Sequence, residues 1–319
     1  MILVTGASGL VGSALTRRLC NGELGQVRVA LRARQLSLPK NVQMALIDQP
    51  FSEFDWTPVL RGVDTIVHGA ARVHVMREQS GDALAEFRRV NLHATMALAR
   101  RAALLGVRRL VFISTLKVLG ETSAPGRPLQ ATDTPHPRDP YSQSKREAED
   151  ALRELAAATA MELVIVRPPL VYGPGVKANF RTMMQWIASG RPLPLGSVHN
   201  RRSLVSLTNL VDLLVQAARH PAAAGQILHI SDDEDVSTTE LLRRMGVALR
   251  RPARLWRVPT ALLRAIATPM GLGPQLRRLV GSLQADIDTS RQRLGWRPVQ
   301  SMQQGLQETA EAFWNEAAR

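Results

Sequence analysis

The stretch that most constrains the fold is Met1-Ile-Leu-Val-Thr-Gly-Ala-Ser-Gly-Leu-Val-Gly12, where a short apolar run meets three glycines spaced three residues apart. Ile2 to Val4 reads as a buried parallel strand. Gly6 permits a sharp turn, Gly9 lets backbone approach a ligand, and Gly12 lets the following helix pack close to the sheet. That helix, from about Leu10 to Cys20, aims its positive end at whatever sits over the turn. Gly6, Ser8, Gly9, Leu10 and Gly12 are therefore candidate contacts for a bound phosphate. A P-loop needs Lys followed by Ser or Thr directly after the last glycine, and Ser13-Ala14 stand there instead. On these residues alone, a glycine-rich turn without a ligand remains the alternative.

At 319 residues the chain can bury a sizeable core, as one large domain or two joined ones. The single cysteine, Cys20, excludes an internal disulfide. The first strand begins at Met1 with no charged leader before it, and the expectation is a cytoplasmic protein. No run of eighteen apolar residues is free of Arg, Asp, Gly or Pro, so no integral membrane segment is expected. The chain carries 41 Lys and Arg against 27 Asp and Glu, which raises the question of nucleic acid. The excess is scattered Arg pairs such as Arg17-Arg18 and Arg201-Arg202, and aromatic residues make up only 4% of the chain. That is too sparse for a stacking platform, so no nucleic-acid partner is expected.

Strand and helix signals alternate through the first half, the pattern of an α/β doubly wound parallel sheet of Rossmann type. Val27 to Leu31, Val42 to Ile47, Asp64 to His68, Leu110 to Ser114 and Leu163 to Val166 are the strand candidates. Asp82 to Leu105 reads as one long helix closed by Gly106, and Tyr141 to Ala158 as a second. From Pro168 onward Pro and Gly become frequent. The expected division is a dinucleotide-binding domain over residues 1–170, with a return to the sheet over about 207–231, and a smaller C-terminal lid over 171–319. Pro259 to Leu272 is an apolar helix expected to pack inside the lid, with a peripheral membrane foot as the alternative.

Enzymes that prefer NAD usually carry Asp or Glu at the end of the second strand, whereas Arg accommodates a 2′-phosphate. This chain offers Arg32-Ala33-Arg34 and no acid, so NADP(H) is favoured and NAD remains possible. Asp48, past the third strand, is placed to accept from an adenine amino group. Tyr141-Ser-Gln-Ser-Lys145 sets a phenol and an ammonium on one face at the start of a helix. Asp139-Pro140 fixes that start, and Ser114-Thr115 closes the preceding strand, so a hydroxyl can join the tyrosine.

With these residues the chain resembles the extended short-chain dehydrogenases/reductases that act on nucleotide sugars. The matches include Thr5-Gly-Ala-Ser-Gly-Leu-Val-Gly12, His68-Gly-Ala-Ala71, Val90-Asn-Leu-His-Ala-Thr95, Ile113-Ser-Thr115, Tyr141-Ser-Gln-Ser-Lys145, Arg167-Pro-Pro-Leu-Val-Tyr-Gly-Pro174 and Arg202-Ser-Leu-Val-Ser-Leu-Thr-Asn-Leu210. The resemblance implies that hydride moves to or from a sugar carbon, most often C4, while Tyr141 exchanges the proton on its oxygen. Lys145 would hold the nicotinamide ribose and keep Tyr141 acidic: a unit charge at about 4 Å is worth roughly 4 kcal/mol at an effective dielectric of 20. Thr115 would orient the substrate oxygen with Ser114 beside it, and Ala70 and Ala71 would line the cofactor. Asn179 and Arg202 match positions that contact the nucleotide diphosphate. The helices at Asp82 to Leu105 and Tyr141 to Ala158 match those that form a four-helix bundle across a homodimer. No metal is implied, because His68, His74 and His93 lack ligand spacing.

Departures from the pattern narrow the reaction. Dehydratases of this kind place an acidic pair after the Ser/Thr, and Leu116-Lys117 stand there instead. Leu119 and Leu170 replace a usual Tyr and Asn, which puts one substrate contact in doubt. The nearest subgroup includes NADPH-dependent reductases of UDP-4-keto-6-deoxy-N-acetylhexosamines in surface-polysaccharide synthesis. The rivals are a UDP-hexose (glucose or N-acetylglucosamine) 4-epimerase with bound NAD, a non-catalytic NADP sensor, and a reductase of a steroid-like or flavonoid-like ketone.

Overall fold

The protein is described from a computed structural model covering residues 1–22, 25–33, 39, 41–73, 82–124 and 126–318. Arg34 and His74 lie outside the described residues. The first half alternates β1 (Ile2–Thr5), α1 (Leu10–Cys20), β2 (Val27–Leu31), β3 (Val42–Leu46), α2 (Thr57–Leu60) and β4 (Thr65–His68). Then come α3 (Ala83–Arg88), α4 (Ala94–Leu104), β5 (Arg109–Ile113), α5 (Pro140–Ala157) and β6 (Glu162–Arg167). β7 (Leu170–Tyr172), α6 (Ala178–Ala188), β8 (Leu204–Ser206), α7 (Leu207–Arg219) and β9 (Ile227–His229) follow. The chain ends with α8 (Thr238–Ala248), α9 (Thr260–Ala267), α10 (Gly273–Val280), α11 (Asp288–Leu294) and α12 (Met302–Ala317).

Seven strands form one parallel sheet in the order β3-β2-β1-β4-β5-β6-β9. The strand order reverses between β1 and β4, which opens a crevice at their C-terminal ends, where ligands bind in open α/β sheets. Both faces are covered, so successive residues of one strand enter different cores. On one face Val4, Val29, Val67, Val111 and Val164 pack with Leu15 and Leu19 of α1 and Leu210, Leu213 and Leu214 of α7. On the other Leu3, Ala30, Ile66, Leu110, Phe112 and Ile165 pack with Met96 and Ala99 of α4 and Ala148 and Leu152 of α5.

A third core gathers Tyr172, Phe180, Met184, Leu242, Met245, Met302 and Leu306 from β7, α6, α8 and α12. β7 and β8 form a separate two-stranded parallel sheet beside it. Tyr172 is buried there, and its hydroxyl donates to Asp232 at 2.6 Å. The segment after β8 passes back through α7, and β9 pairs with β6 at the edge of the main sheet.

Two expectations need correction. The stretch from Asp82 to Leu105 is not one regular helix, because Arg89–His93 form a π-helical turn between α3 and α4. Such a turn adds a residue to the helical repeat and redirects the side chains on either side of it. The apolar helix near Pro259 is not packed inside the lid. None of the residues of α9 is buried; Leu263 turns toward the third core, while Leu262, Ile266 and Met270 are 51%, 52% and 65% exposed. Its apolar residues run round most of the helix, yet the fold supplies neighbours on one side only.

Candidate active site

The glycine turn is built as its residue types require. Gly6 has φ +73°, and a Cβ there would stand 2.7 Å from the Ala70 nitrogen, so β1 and β4 approach as closely as backbone allows. A Cβ on Gly12 would meet the Gly6 carbonyl oxygen at 2.3 Å, whereas one on Gly9 would meet only that oxygen, at 3.3 Å. Gly6 and Gly12 thus serve packing, and Gly9 leaves open space facing outward. Gly9 is the N-cap of α1 with no side-chain cap, and the first turn holds no acidic residue. Its amides and the helix dipole are left for an anion. Ser8 and Gly9 are exposed and Leu10 is half-buried. Ala70 and Ala71 sit half-buried just past β4, and the Ala70 N–H donates to Thr5 Oγ1 at 3.2 Å. Arg32 and Asp48 are exposed just past β2 and β3, at the same sheet ends.

α5 starts where the sequence marks it. Asp139 caps the helix, accepting from the Ser142 N–H at 2.7 Å, and Ser142 Oγ completes the capping box. Pro140 sits in the first turn and Tyr141 follows, edge-on to Phe87 with ring centroids 6.2 Å apart. Lys145, one turn on, is 1% exposed. Its Nζ lies 3.8 Å from the centre of the Phe112 ring, and among the described residues it has no hydrogen-bond acceptor. Glu149, a further turn on, forms a buried two-point ion pair with Arg167, at 3.0 and 2.6 Å. Arg167 of the Arg-Pro-Pro motif therefore holds α5 against β6.

The charges depart from the expectation. Burial pushes Lys145 down to about 7, with Glu149 only partly restoring it. Burial pushes the Tyr141 phenol up, and the nearby Asp139 carboxylate adds to this. The protein alone therefore does not hold the tyrosine acidic, because burial takes both groups out of water and disfavours the charged form of each. Ser114 and Thr115 end β5. Thr115 Oγ1 accepts from the Lys117 N–H at 3.3 Å and caps a short 3₁₀ turn. Ser114 Oγ is buried and has no hydrogen-bond partner among the described residues.

Behind the tyrosine runs a polar chain that sequence reasoning assigned to no function. The Thr95 hydroxyl donates to the Asn91 carbonyl at 2.9 Å, so it accepts from His68 Nε2 at 2.9 Å. That leaves His68 Nδ1 to accept from the Thr5 hydroxyl at 2.8 Å. His68 is neutral, pushed down to about 3 by burial and by Lys145. Asn91, fully buried in the π turn, donates to Ser144 Oγ at 3.0 Å, and Ser144 Oγ donates to the Tyr141 carbonyl at 2.8 Å. Every bond runs between two elements or two turns, so the chain ties the glycine turn to α5. The i,i+4 spacing of Asn91 and Thr95 on an otherwise apolar helix face was the available signal.

The lid residues Asn179 and Arg202 come from separate segments. Asn179 is exposed in the first turn of α6, and the N-cap is Lys177, not Asn179. Arg202 forms no surface salt bridge: its Nη1 donates to the carbonyls of Arg278 and Gly281, at 2.5 and 3.0 Å. Arg278 in turn pairs with Glu121 at 2.9 Å, and Lys117 with Asp139 at 3.0 Å. These contacts join α10 to the segment that leads into α5.

Among the described residues no cluster of His, Cys, Asp or Glu is suited to a metal. The open face of Gly9, the uncapped α1 amides, the orphaned Ser114 hydroxyl and the unpartnered Lys145 ammonium all fit a dinucleotide with a polyhydroxylated substrate. Comparison with known proteins agrees. Residues 2–231 match the NAD dependent epimerase/dehydratase family. A UDP-glucose 4-epimerase of Vibrio cholerae is 41% identical over 98% of this chain and 95% of its own length. Among solved structures, a UDP-glucuronic acid 4-epimerase from Bacillus cereus in complex with NAD superposes with TM-score 0.80 at 20% identity, covering 98% of each chain. A UDP-glucose 4-epimerase from Thermotoga maritima with UDP-glucose gives 0.78 at 20% identity, covering 100% of this chain and 99% of its own. The match of residues 2–231 and the 41% identity across nearly the whole chain show that this protein is an enzyme of the NAD-dependent epimerase/dehydratase family.

Proposed function

We propose that this enzyme is a UDP-hexose 4-epimerase, which oxidises C4 of a UDP-linked hexose and returns the hydride to the other face of the same carbon. The observation that carries the reading is the 41% identity to a UDP-glucose 4-epimerase over nearly the whole chain, in a protein whose Tyr141 and Lys145 begin α5 at the sheet's ligand end. Reduction of a UDP-4-keto-6-deoxy-N-acetylhexosamine becomes the second reading. It rests on resemblance to a subgroup that includes such reductases, with which an NADPH preference read from Arg32-Ala33-Arg34 agrees; the solved Bacillus cereus relative instead carries NAD. NAD is accordingly the proposed cofactor.

The bound dinucleotide supplies a hydride acceptor that becomes the donor for the return step. Ser8, Gly9 and Leu10 would hold its diphosphate over the turn that Gly6 and Gly12 let close up, Ala70 and Ala71 would line its path, Asp48 would serve its adenine, and Lys145 would donate to its ribose hydroxyls. Tyr141 takes the proton from the C4 hydroxyl as the carbonyl forms and gives it back on return. Ser114 and Thr115 donate to the C4 oxygen. Hydroxyls accepting from Lys145 Nζ favour its charged form, and that charge lowers the neighbouring phenol. Residues 1–170, with the return at 207–231, hold the cofactor, and 171–319 close over the nucleotide. Asn179 and the Arg202 Nε and Nη2 groups serve its diphosphate, where an Arg fork suits phosphate oxygens. A homodimer through α4 and α5 belongs to the same reading, and light scattering tests it.

The test combines two assays on purified protein: identification of the cofactor released on denaturation, and incubation with UDP-glucose followed by NMR. NAD released and UDP-galactose formed without added cofactor is the expected result. NADPH oxidation with a UDP-4-keto-6-deoxy sugar, and no interconversion of UDP-hexoses, establishes the second reading.

A further inference from the structure

Residues 241–285 contain nine arginines and no Asp, Glu or Lys. Three of these are engaged: Arg243 and Arg244 pair with Glu240, and Arg278 pairs with Glu121. Arg250, Arg251, Arg254, Arg257, Arg264 and Arg277 are exposed and form no ion pair among the described residues. In the middle of this stretch stands α9. Leu262 and Ile266 lie four residues apart, on one helical face, and Met270 continues the spacing into the following turn. Ala261, Ala265 and Pro269 flank them and are exposed as well. α10 packs against α9, and the Arg277 guanidinium lies close to Gly273, beside the exposed Leu272. The result is an exposed apolar ridge set within a stretch of chain whose positive charge is uncompensated by any acidic residue of its own.

We propose that the α9–α10 face docks on an anionic lipid bilayer, with Leu262, Ile266 and Met270 entering the headgroup boundary and Arg257 and Arg277, which flank the helix in sequence and in α10, meeting lipid phosphates. An apolar ridge bordered by arginines is the surface an interfacial helix presents to acidic lipid. Charge selects this occupant over a second copy of the chain. A two-fold contact would set the same arginine-rich surface against itself, with no acidic residue in the stretch to answer it. The stretch exposes a single aromatic residue, Trp256 at 63%, too few for a platform on which bases stack, which argues against nucleic acid.

The test is co-sedimentation of the full chain with vesicles of phosphatidylcholine alone and of phosphatidylcholine with phosphatidylglycerol. Binding is expected only to the second kind, and it weakens as salt rises. L262E/I266E removes two apolar anchors and adds repulsion, and binding drops by at least about tenfold per residue. R257Q and R277Q each weaken binding by about fivefold; these exposed positions, in no ion pair among the described residues, keep the test open should the glutamate variant fold poorly. C4 oxidoreductase activity on soluble substrate stays unchanged in all variants. Absence of vesicle binding, equal binding to neutral vesicles, or binding undiminished in the variants overturns the proposal. So does a dimer that dissociates in L262E/I266E, which assigns the ridge to a second copy.

Discussion

Lys145→Met isolates the tension built into the site. The ammonium is 1% exposed and touches an aromatic ring. A fall from 10.5 to about 7, at about 1.4 kcal/mol per unit, means that its charged form destabilises the apoprotein by about 5 kcal/mol. The contact with Phe112 returns about 2 kcal/mol. Replacing the ammonium with an apolar chain of similar length therefore stabilises the cofactor-free protein by about 3 kcal/mol at pH 6. At about 2.1 cal/mol/K of unfolding entropy per residue over 319 residues, this raises Tm by about 4 °C. The pH dependence follows from the sign of the shift. Below about pH 7 the lysine is charged in both states and the full penalty is present. Between about 7 and 10.5 the folded protein releases the proton and the unfolded chain keeps it, so wild-type stability rises and its gap to the variant closes. Calorimetry of apoprotein at pH 6 and pH 9 measures both effects, with loss of activity as the companion result. A variant that melts at or below wild type at pH 6, or a gap that does not change with pH, refutes the reasoning.

Other outcomes follow from the same geometry. Tyr141→Phe should lower turnover by about 10²- to 10⁴-fold with cofactor affinity little changed, as read by stopped flow and calorimetric titration. Gly9→Ala should keep near-wild-type stability and lose cofactor affinity. Gly12→Ala, whose methyl would stand 2.3 Å from the Gly6 oxygen, should lower Tm with or without ligand. Arg167→Met leaves the buried Glu149 with only the more distant Arg146, at 3.7 Å, at a cost of about 3 kcal/mol, and R167M/E149L should recover most of that loss in urea unfolding.

The sheet and the Tyr-Lys helix were legible because each rests on local chemistry. Glycines at fixed offsets, an Asp-Pro helix start and strands buried on both faces leave little freedom of placement. β2 matches its expected span, and α5 begins within a residue of its own. The π turn at Arg89–His93 was not legible, since its cause is the buried Asn91 bonding to Ser144 and Arg72, partners far off in sequence. His68 read as a structural histidine for the same reason: its partners come from β1 and α4. The loss of Lys145 basicity depends on how completely Phe112 and neighbouring helices exclude water, which spacing along a helix does not encode. α9 was misplaced because apolar composition states what can be buried, and not whether the fold supplies a neighbour. The reductase expectation rested on resemblance to one subgroup, with Arg32 as its cofactor support, and an exposed arginine at a strand end is weak support for a 2′-phosphate.

The central claim is that hydride leaves C4 of a sugar and returns to that same carbon under the control of Tyr141. Conversion of UDP-glucose deuterated at C4, in ordinary water and without added cofactor, tests it directly. UDP-galactose that retains the deuterium at C4 is the predicted product, with none formed by Tyr141→Phe at comparable times. Deuterium washed out to solvent, or epimerisation undiminished in the phenylalanine variant, contradicts it.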